Sequence, residues 1–361
     1  MIHFKTLGAF AIALTLTSVA QAAIDIDGTQ VEVVDMHLHT GKTGDLNPDG
    51  KAFIISALPE FTVLYYPAVT AASTDPWVPH MGIKSQTEWA GVDHGVILAA
   101  YTHHTTGFMT NQGVDFILRD ERNVNADGTR WAWGMASINF DDFRDEGVAE
   151  ERLSALASYF ERRPEHFIGI KLAHAHQAVT FDDPDYLGVY DIAAQYQVPV
   201  LLHTGSTPFP NAANQPAYYD PDGLESTILA YDGAHGHPKV NFVLSHVGRA
   251  DMRAVESALR LAETYDNVWL ELSALGGPVE LNLEGEPIEA SEPQYFYVLE
   301  QILARGLVHK ALYASDGPQS SGKVKIYLEE IVSAMKGLQY SVEEMAQVLS
   351  GNFYRCYPVP N

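Results

Sequence analysis

Eight runs of strand length, each apolar or β-branched, recur in order along the chain: Val31 to His39, Gly95 to Tyr101, Trp131 to Asn139, Phe167 to His174, Val198 to Thr204, Val240 to His246, Val268 to Ser273 and Ala311 to Ser315. Most are followed by a segment with helical spacing. Leu153, Leu156, Ala157 and Phe160 fall at i, i+3, i+4, i+7, as do Val189, Ile192, Ala193 and Tyr196, and Val324, Tyr327, Leu328 and Ile331. Strands alternating with helices imply a parallel sheet with right-handed crossovers. Runs that are apolar almost throughout fit strands covered on both faces. An open doubly wound sheet would show the same runs. The polar residues separate the two folds, because His, Asp and Asn gather at the C-terminal ends of several strands, and those ends converge only in a closed barrel. The expectation is an α/β chain folded as a (β/α)8 TIM barrel, with its chemistry at the C-terminal rim.

Residues 1–22 stand apart from this pattern. Lys5, the apolar run Leu7 to Leu16 and the small residues Ala20 and Ala22 read as a secretory signal peptide. The run is shorter than the roughly 20 apolar residues of a membrane span and is broken by Thr15, Thr17 and Ser18. The mature chain, 23–361, is then expected to be periplasmic or secreted, a single barrel domain with no membrane contact after cleavage. Two segments exceed a minimal barrel: 41–82, with Tyr65, Tyr66, Pro67 and Trp77, and 207–223, with four prolines. Both follow a strand on the rim, where long loops act as lids, specificity walls or plain surface loops. The single cysteine, Cys356, excludes an intrachain disulfide. A formal charge of −24 with no basic cluster excludes nucleic acid as a partner. A small-molecule substrate and, by default, a homodimer remain.

His37 and His39 are two apart on the first strand, so both side chains leave the same face. Two adjacent imidazoles fill a core poorly and ligate a divalent ion well. His203 falls at the end of VPVLLHTG, His246 ends NFVLSH and Asp316 ends ALYASD, each the last inward-looking polar residue of an apolar strand. Any one of them alone is as well explained by a hydrogen bond to a loop.

Together with DMHLH, GIKL, LSHVGR, YASDGP and the closing VLSGNFYR, this set resembles the amidohydrolase superfamily, in its amidohydrolase-2 branch of small metal-dependent hydrolases and decarboxylases. The resemblance implies that His37, His39 and His203 hold one divalent metal ion, zinc first and manganese as the alternative. It implies that Asp316 is a ligand and proton acceptor, and His246 a ligand or acid/base group. An ion among neutral imidazoles acidifies a bound water, Asp316 takes the proton, and His246 polarises a carbonyl, which gives hydrolysis of an amide, ester or lactone. The same scaffold also implies a rival, decarboxylation of a small aromatic or unsaturated acid. A catalytically silent exported binding barrel is the reading from another class.

Four further residues are candidates for substrate contact. Lys171 in GIKL resembles the strand-four lysine that is carbamylated in binuclear relatives, although its context is closer to the mononuclear branch. His174 and His176 follow it, and Arg249, just past His246, offers a guanidinium fork to a carboxylate. For Arg249 a surface position at a helix start is an equally good reading. His103 and His104 after the second strand are rim histidines of the same kind. The chain has no GxGxxG after a strand, no Walker A loop and no GxSxG elbow.

Overall fold

The computed structural model describes residues 23–41, 43–56, 66–144, 147–318 and 322–359. The signal-peptide reading of 1–22 and part of the first rim insertion, Tyr65 included, lie outside the described residues. Eight parallel strands form one sheet in chain order: β1 (Val34–Leu38), β2 (His94–Leu98), β3 (Ala132–Ser137), β4 (Phe167–Leu172), β5 (Val200–Gly205), β6 (Phe242–Arg249), β7 (Val268–Glu271) and β8 (Ala311–Leu312). The ends meet. Met36 N donates to Tyr313 O at 3.4 Å and His39 N to Gly317 O at 2.7 Å, which closes the sheet into a barrel.

A helix follows each strand: α1 (Ile83–Ala90), α2 (Asn111–Leu118), α3 (Val148–Arg162), α4 (Gly188–Tyr196), α5 (Glu225–Ala230), α6 (Met252–Thr264), α7 (Gln294–Ala304) and α8 (Lys323–Gly337). The spacing read from the sequence sets their inner faces. In α8, Val324, Tyr327, Leu328 and Ile331 are all buried, and in α4 so are Val189, Ile192 and Ala193. Asp251 caps α6 by accepting from Arg253 N, satisfying a donor that the first helical turn leaves open. Among the described residues no helix is long and apolar enough to cross a membrane.

The strands alternate between two cores. Outward residues such as Ile97, Phe167, Leu202, Leu244 and Leu270 pack against the helices. Inward residues such as Leu98, Trp133, Ile168, Leu201, Val243 and Trp269 fill the lumen, plugged by Phe353, Cys356 and Tyr357 from the C-terminal segment. Above this apolar plug the inward positions turn polar: His203, Ser245 and Glu271 each lie two residues beyond a lumen residue, and Lys171 two beyond Gly169, where the register of β4 slips and a side chain would meet Tyr357 of the plug. The sequence period therefore builds a dry floor and a polar mouth in one lumen.

β1 breaks the alternation. Its register against β2 slips between Asp35 and Leu38, so Met36 fills the lumen, Leu38 packs outward, and both His37 and His39 face the mouth. A β-bulge re-aims side chains in this way, and bulges concentrate beside functional sites. Asp35 secures the slip from outside the lumen cluster: its Oδ1 accepts from His37 N at 3.2 Å and Ser315 N at 3.0 Å. Burial pushes its carboxyl up to about 7.

Candidate metal centre

The polar mouth opens into a pocket lined by His37, His39, His203, His246, Arg249 and Asp316. Both rim insertions contribute walls, the first through Leu46 and Thr74, the second through Thr207 and Phe209. Their sequence role as loops over the site is thus a role as walls of the pocket.

Three donors converge. His37 Nε2 lies 3.1 Å from His39 Nε2 and 3.3 Å from Asp316 Oδ1, and His39 Nε2 lies 3.0 Å from Asp316 Oδ1. Donors bound about 2.0–2.2 Å from one ion stand about 3.0 Å apart in octahedral and about 3.4 Å apart in tetrahedral coordination. The observed triangle falls in that interval, so these residues fit a single divalent cation. His203 lies outside the set of three donors within 4.8 Å of one another, yet it lines the same pocket and its Nε2 is buried with no hydrogen-bond partner among the described residues. A buried orphan nitrogen is costly unless something else engages it.

Electrostatics favour an anionic carboxylate among neutral rings. Burial alone would raise Asp316, but the neighbouring imidazoles of His37 and His39 outweigh it and hold the carboxyl well below its ordinary value. Burial lowers His37 and His203 and takes His246 and His176 down to about 3, leaving all four uncharged at neutral pH. Neutral imidazole is the form that ligates.

The end of β6 carries the greatest backbone strain near the site. His246 has φ +67° and Val247 φ +42°, left-handed values that cost about 1–3 kcal/mol each for such residues. Hydrogen bonds hold the turn: Thr204 Oγ1 donates to Ser245 O at 2.7 Å and accepts from Gly248 N at 3.0 Å. Gly205 and Gly248 make room for it. A Cβ on Gly205 would meet Arg249 N at 2.3 Å, and one on Gly248 would meet the Ala254 carbonyl carbon at 2.2 Å.

The remaining candidates divide. Lys171 is buried at the mouth and donates to Ser245 Oγ at 3.0 Å, and burial takes its ammonium down to about 8 against the pull of Glu271 and Asp316. His176 lines the pocket, bonded through Nδ1 to Thr105 Oγ1 at 2.6 Å. Arg249 also lines it, and among the described residues its guanidinium has no ion pair. His174 is a correction: β4 ends at Leu172, and His174 starts a short helix that turns its ring away from the pocket, onto Phe140 at 5.2 Å and Phe181 at 4.5 Å. His103 and His104 do not line the pocket either. Both point Nε2 at one oxygen of Asp141, at 2.7 and 2.5 Å.

Sequence reasoning found the strand β7 but missed the site residues at its end. Glu271, fully buried, places Oε1 3.4 Å from His37 Nδ1 and accepts from His246 N through Oε2 at 3.1 Å. Ser273 brings its Oγ 2.8 Å from His246 Nδ1. Trp269, Glu271 and Ser273 share one parity, and the lumen position of Trp269 is what turns that parity into an inward direction.

No curated protein matches the chain at a significant level. Among solved structures the fold resembles a probable 2-pyrone-4,6-dicarboxylic acid hydrolase of Acinetobacter baumannii with citric acid bound (16% identity, TM-score 0.55, 90% of this chain and 98% of that one). It also resembles a dihydroxybenzoic acid decarboxylase of Polaromonas with bound manganese and the inhibitor 2-nitroresorcinol (12%, TM-score 0.56, 91% and 97%). An uncharacterized TIM-barrel protein of Bordetella bronchiseptica is similar to the same degree (14%, TM-score 0.59, 90% and 98%). At such identities the likeness is one of fold, and the finer assignment comes from sequence. The amidohydrolase family model matches residues 109–359, from the hairpin after β2 to the C-terminal plug, leaving His37 and His39 to be placed by geometry. With more than two thirds of its length matched, the chain belongs to the amidohydrolase family, in its amidohydrolase-2 branch of metal-dependent hydrolases and decarboxylases.

Proposed function

We propose that this chain hydrolyses an amide, ester or lactone bond of a small, negatively charged molecule, using one divalent cation held by His37, His39 and Asp316 with His203 beside them. The observation that carries this reading is the 3.0–3.3 Å triangle of His37, His39 and Asp316 donors. Zinc is the ion we assign, since imidazoles with one carboxylate suit it, and manganese is the alternative. When bound, the cation supplies Lewis acidity, polarising a carbonyl and acidifying a water.

The protein's groups do the rest. Asp316, kept anionic by its neighbours, receives a proton at a carboxylate oxygen and returns it to the leaving group. His246 presents a neutral ring nitrogen to the pocket as a ligand or proton acceptor, and Arg249 takes the substrate's anionic group bidentately, with Lys171 deeper in the pocket as a second positive centre. Leu46, Met109 and Phe209 supply apolar walls that exclude water from the rest of the substrate.

Decarboxylation of a small unsaturated acid is the second reading, favoured by the same pairing of cationic groups with apolar walls. Incubating the metal-loaded protein with lactones, amides, esters and aromatic acids in 18O-labelled water separates the two. Label in the product marks hydrolysis, and carbon dioxide released without incorporation marks decarboxylation. Turnover of neither kind across the panel, with every compound recovered intact, would favour a binding barrel. We further propose export to the periplasm or beyond, on the signal-like residues 1–22, which N-terminal sequencing of the mature protein tests.

A further inference from the structure

For a histidine to ligate through Nε2, that nitrogen must be bare and the proton must sit on Nδ1. His37 is under opposing demands. On its Nε2 side Asp316 Oδ1, an acceptor, lies 3.3 Å away and favours a proton there, which would block ligation. On its Nδ1 side stands Glu271 Oε1 at 3.4 Å, a buried oxygen with no hydrogen-bond partner among the described residues, for which His37 Nδ1 is the donor within reach. The Ser273 hydroxyl is 3.4 Å from the same nitrogen.

His246 is treated alike. Its Nδ1 lies 3.3 Å from the Ser273 carbonyl, which can only accept, and 2.8 Å from the Ser273 hydroxyl, which can accept as well. A proton on Nδ1 satisfies both contacts and leaves Nε2 bare. The two rings are neighbours, with centroids 5.2 Å apart, and both are backed by the end of β7.

We propose that the end of β7 fixes the tautomers of His37 and His246, and that Glu271 is a positioning residue that holds the proton of His37 on Nδ1 so that Nε2 is free for the cation. Glu271 is suited to this because its other oxygen is already committed. Oε2 accepts the amide N–H of His246 at 3.1 Å, which pins the carboxylate plane and directs Oε1 at His37. One side chain thereby links the ligand on β1 to the strained turn on β6. Carboxylate and carbonyl partners behind ligating imidazoles have this effect generally, and losing one weakens metal affinity about 10–100-fold. The inference rests on the reading of His37 as a ligand.

The substitution Glu271→Gln separates charge and tautomer from shape. Its side-chain oxygen is claimed by the His246 amide, so its NH2 group turns toward His37 Nδ1. Two donors then face each other, and the ring relieves the clash by moving its proton to Nε2. Two-bond 15N–1H spectra of histidine-labelled full-length protein read this directly, with the His37 signal assigned by its disappearance in H37Q. In metal-free wild type His37 should show the Nδ1–H pattern, and in E271Q the Nε2–H pattern, with zinc affinity by competition titration about 10–100-fold weaker. An Nε2–H pattern in metal-free wild type overturns the proposal without recourse to any variant, so a misfolded E271Q cannot shield it. An unchanged tautomer and unchanged zinc affinity in a folded E271Q overturn it equally. If wild type takes up no zinc or manganese at all, the metal-dependent function fails, while the tautomer measurement still decides the role of Glu271.

Discussion

Two clusters in this molecule are built from the same parts, two histidines and an aspartate, and only one has the donor spacing of a metal site. His37, His39 and Asp316 stand 3.0–3.3 Å apart at the barrel mouth. His103 and His104 on the rim both reach one oxygen of Asp141 at 2.7 and 2.5 Å. The rim spacings are those of charge-assisted hydrogen bonds, too short for donors sharing an ion held at about 2.1 Å from each. The surroundings differ as much. His37 is 1% exposed and backed by Glu271 and Ser273, whereas His104 is 49% exposed and, among the described residues, neither rim histidine has a partner at Nδ1. Composition and proximity do not make a metal centre. Donor spacing, enclosure and the groups behind the donors do.

The sharpest way to break that comparison is to remove each cluster and count the metal. His37→Ala is expected to lose more than nine tenths of bound zinc and to lower kcat/KM by about three orders of magnitude or more. The double variant H103A/H104A is expected to keep both. Elemental analysis and steady-state kinetics on the three proteins check this, and loss of one metal equivalent in the rim variant would dissolve the distinction.

Asp316→Asn is the next largest effect. The amide keeps the shape and one donor oxygen, so part of the metal stays, but it cannot receive the proton. Turnover should fall by about 10²–10⁴-fold, the usual worth of general acid–base catalysis. Residual metal with near-normal turnover would assign Asp316 to ligation alone.

The contrast between floor and mouth explains what was legible in the sequence. All eight strands were, because a strand buried on both faces must be apolar nearly throughout, and the structure adds that His203 shares the inward parity of Leu201 on β5. Asp316 and His246 were legible as the polar residues that end such runs. Glu271 was not, because a carboxylate inside VWLEL looks like a solvent-facing position until Trp269 is known to point into the lumen. His174 failed for the complementary reason: alternation stops where β4 stops, and a short helix redirects whatever follows. The β1 bulge left no mark in composition, since it lies in how Met36 and His37 pair with β2.

Acid should weaken the mouth by a moderate amount. His174, His176 and His246 are each driven to about 3 mainly by burial, against about 6.5 in an unfolded chain. Between those values the unfolded chain binds more protons, so their contribution to stability is complete above about pH 6.5 and declines as the pH falls toward 3. Melting curves of metal-free protein from pH 7.5 to 5 should show Tm falling with acidification. His174→Leu, away from the pocket and between two phenylalanine rings, should flatten that fall; an unchanged slope would mean that His174 titrates normally in the fold.

The smallest effect belongs to the rim cluster, and it tests the comparison from the other side. If His103, His104 and Asp141 form only a partly exposed hydrogen-bonded group, H103A/H104A should cost about 0.2–1 kcal/mol, and less at high salt. The loss should be local. The turn 103–106 also receives Asn47 Nδ2 on the His103 carbonyl at 2.7 Å and gives Thr106 O to Asn47 N at 2.8 Å, backbone contacts that the substitutions leave in place. Thr105 likewise keeps its bond to His176, so the pocket wall stays where it is. Denaturant titrations at two salt concentrations, with and without zinc, measure the cost. A stabilisation by zinc that vanishes in H103A/H104A but survives in H37A would place an ion on the rim after all, and hydrogen-bond spacing would lose its value as the criterion that separates the two clusters.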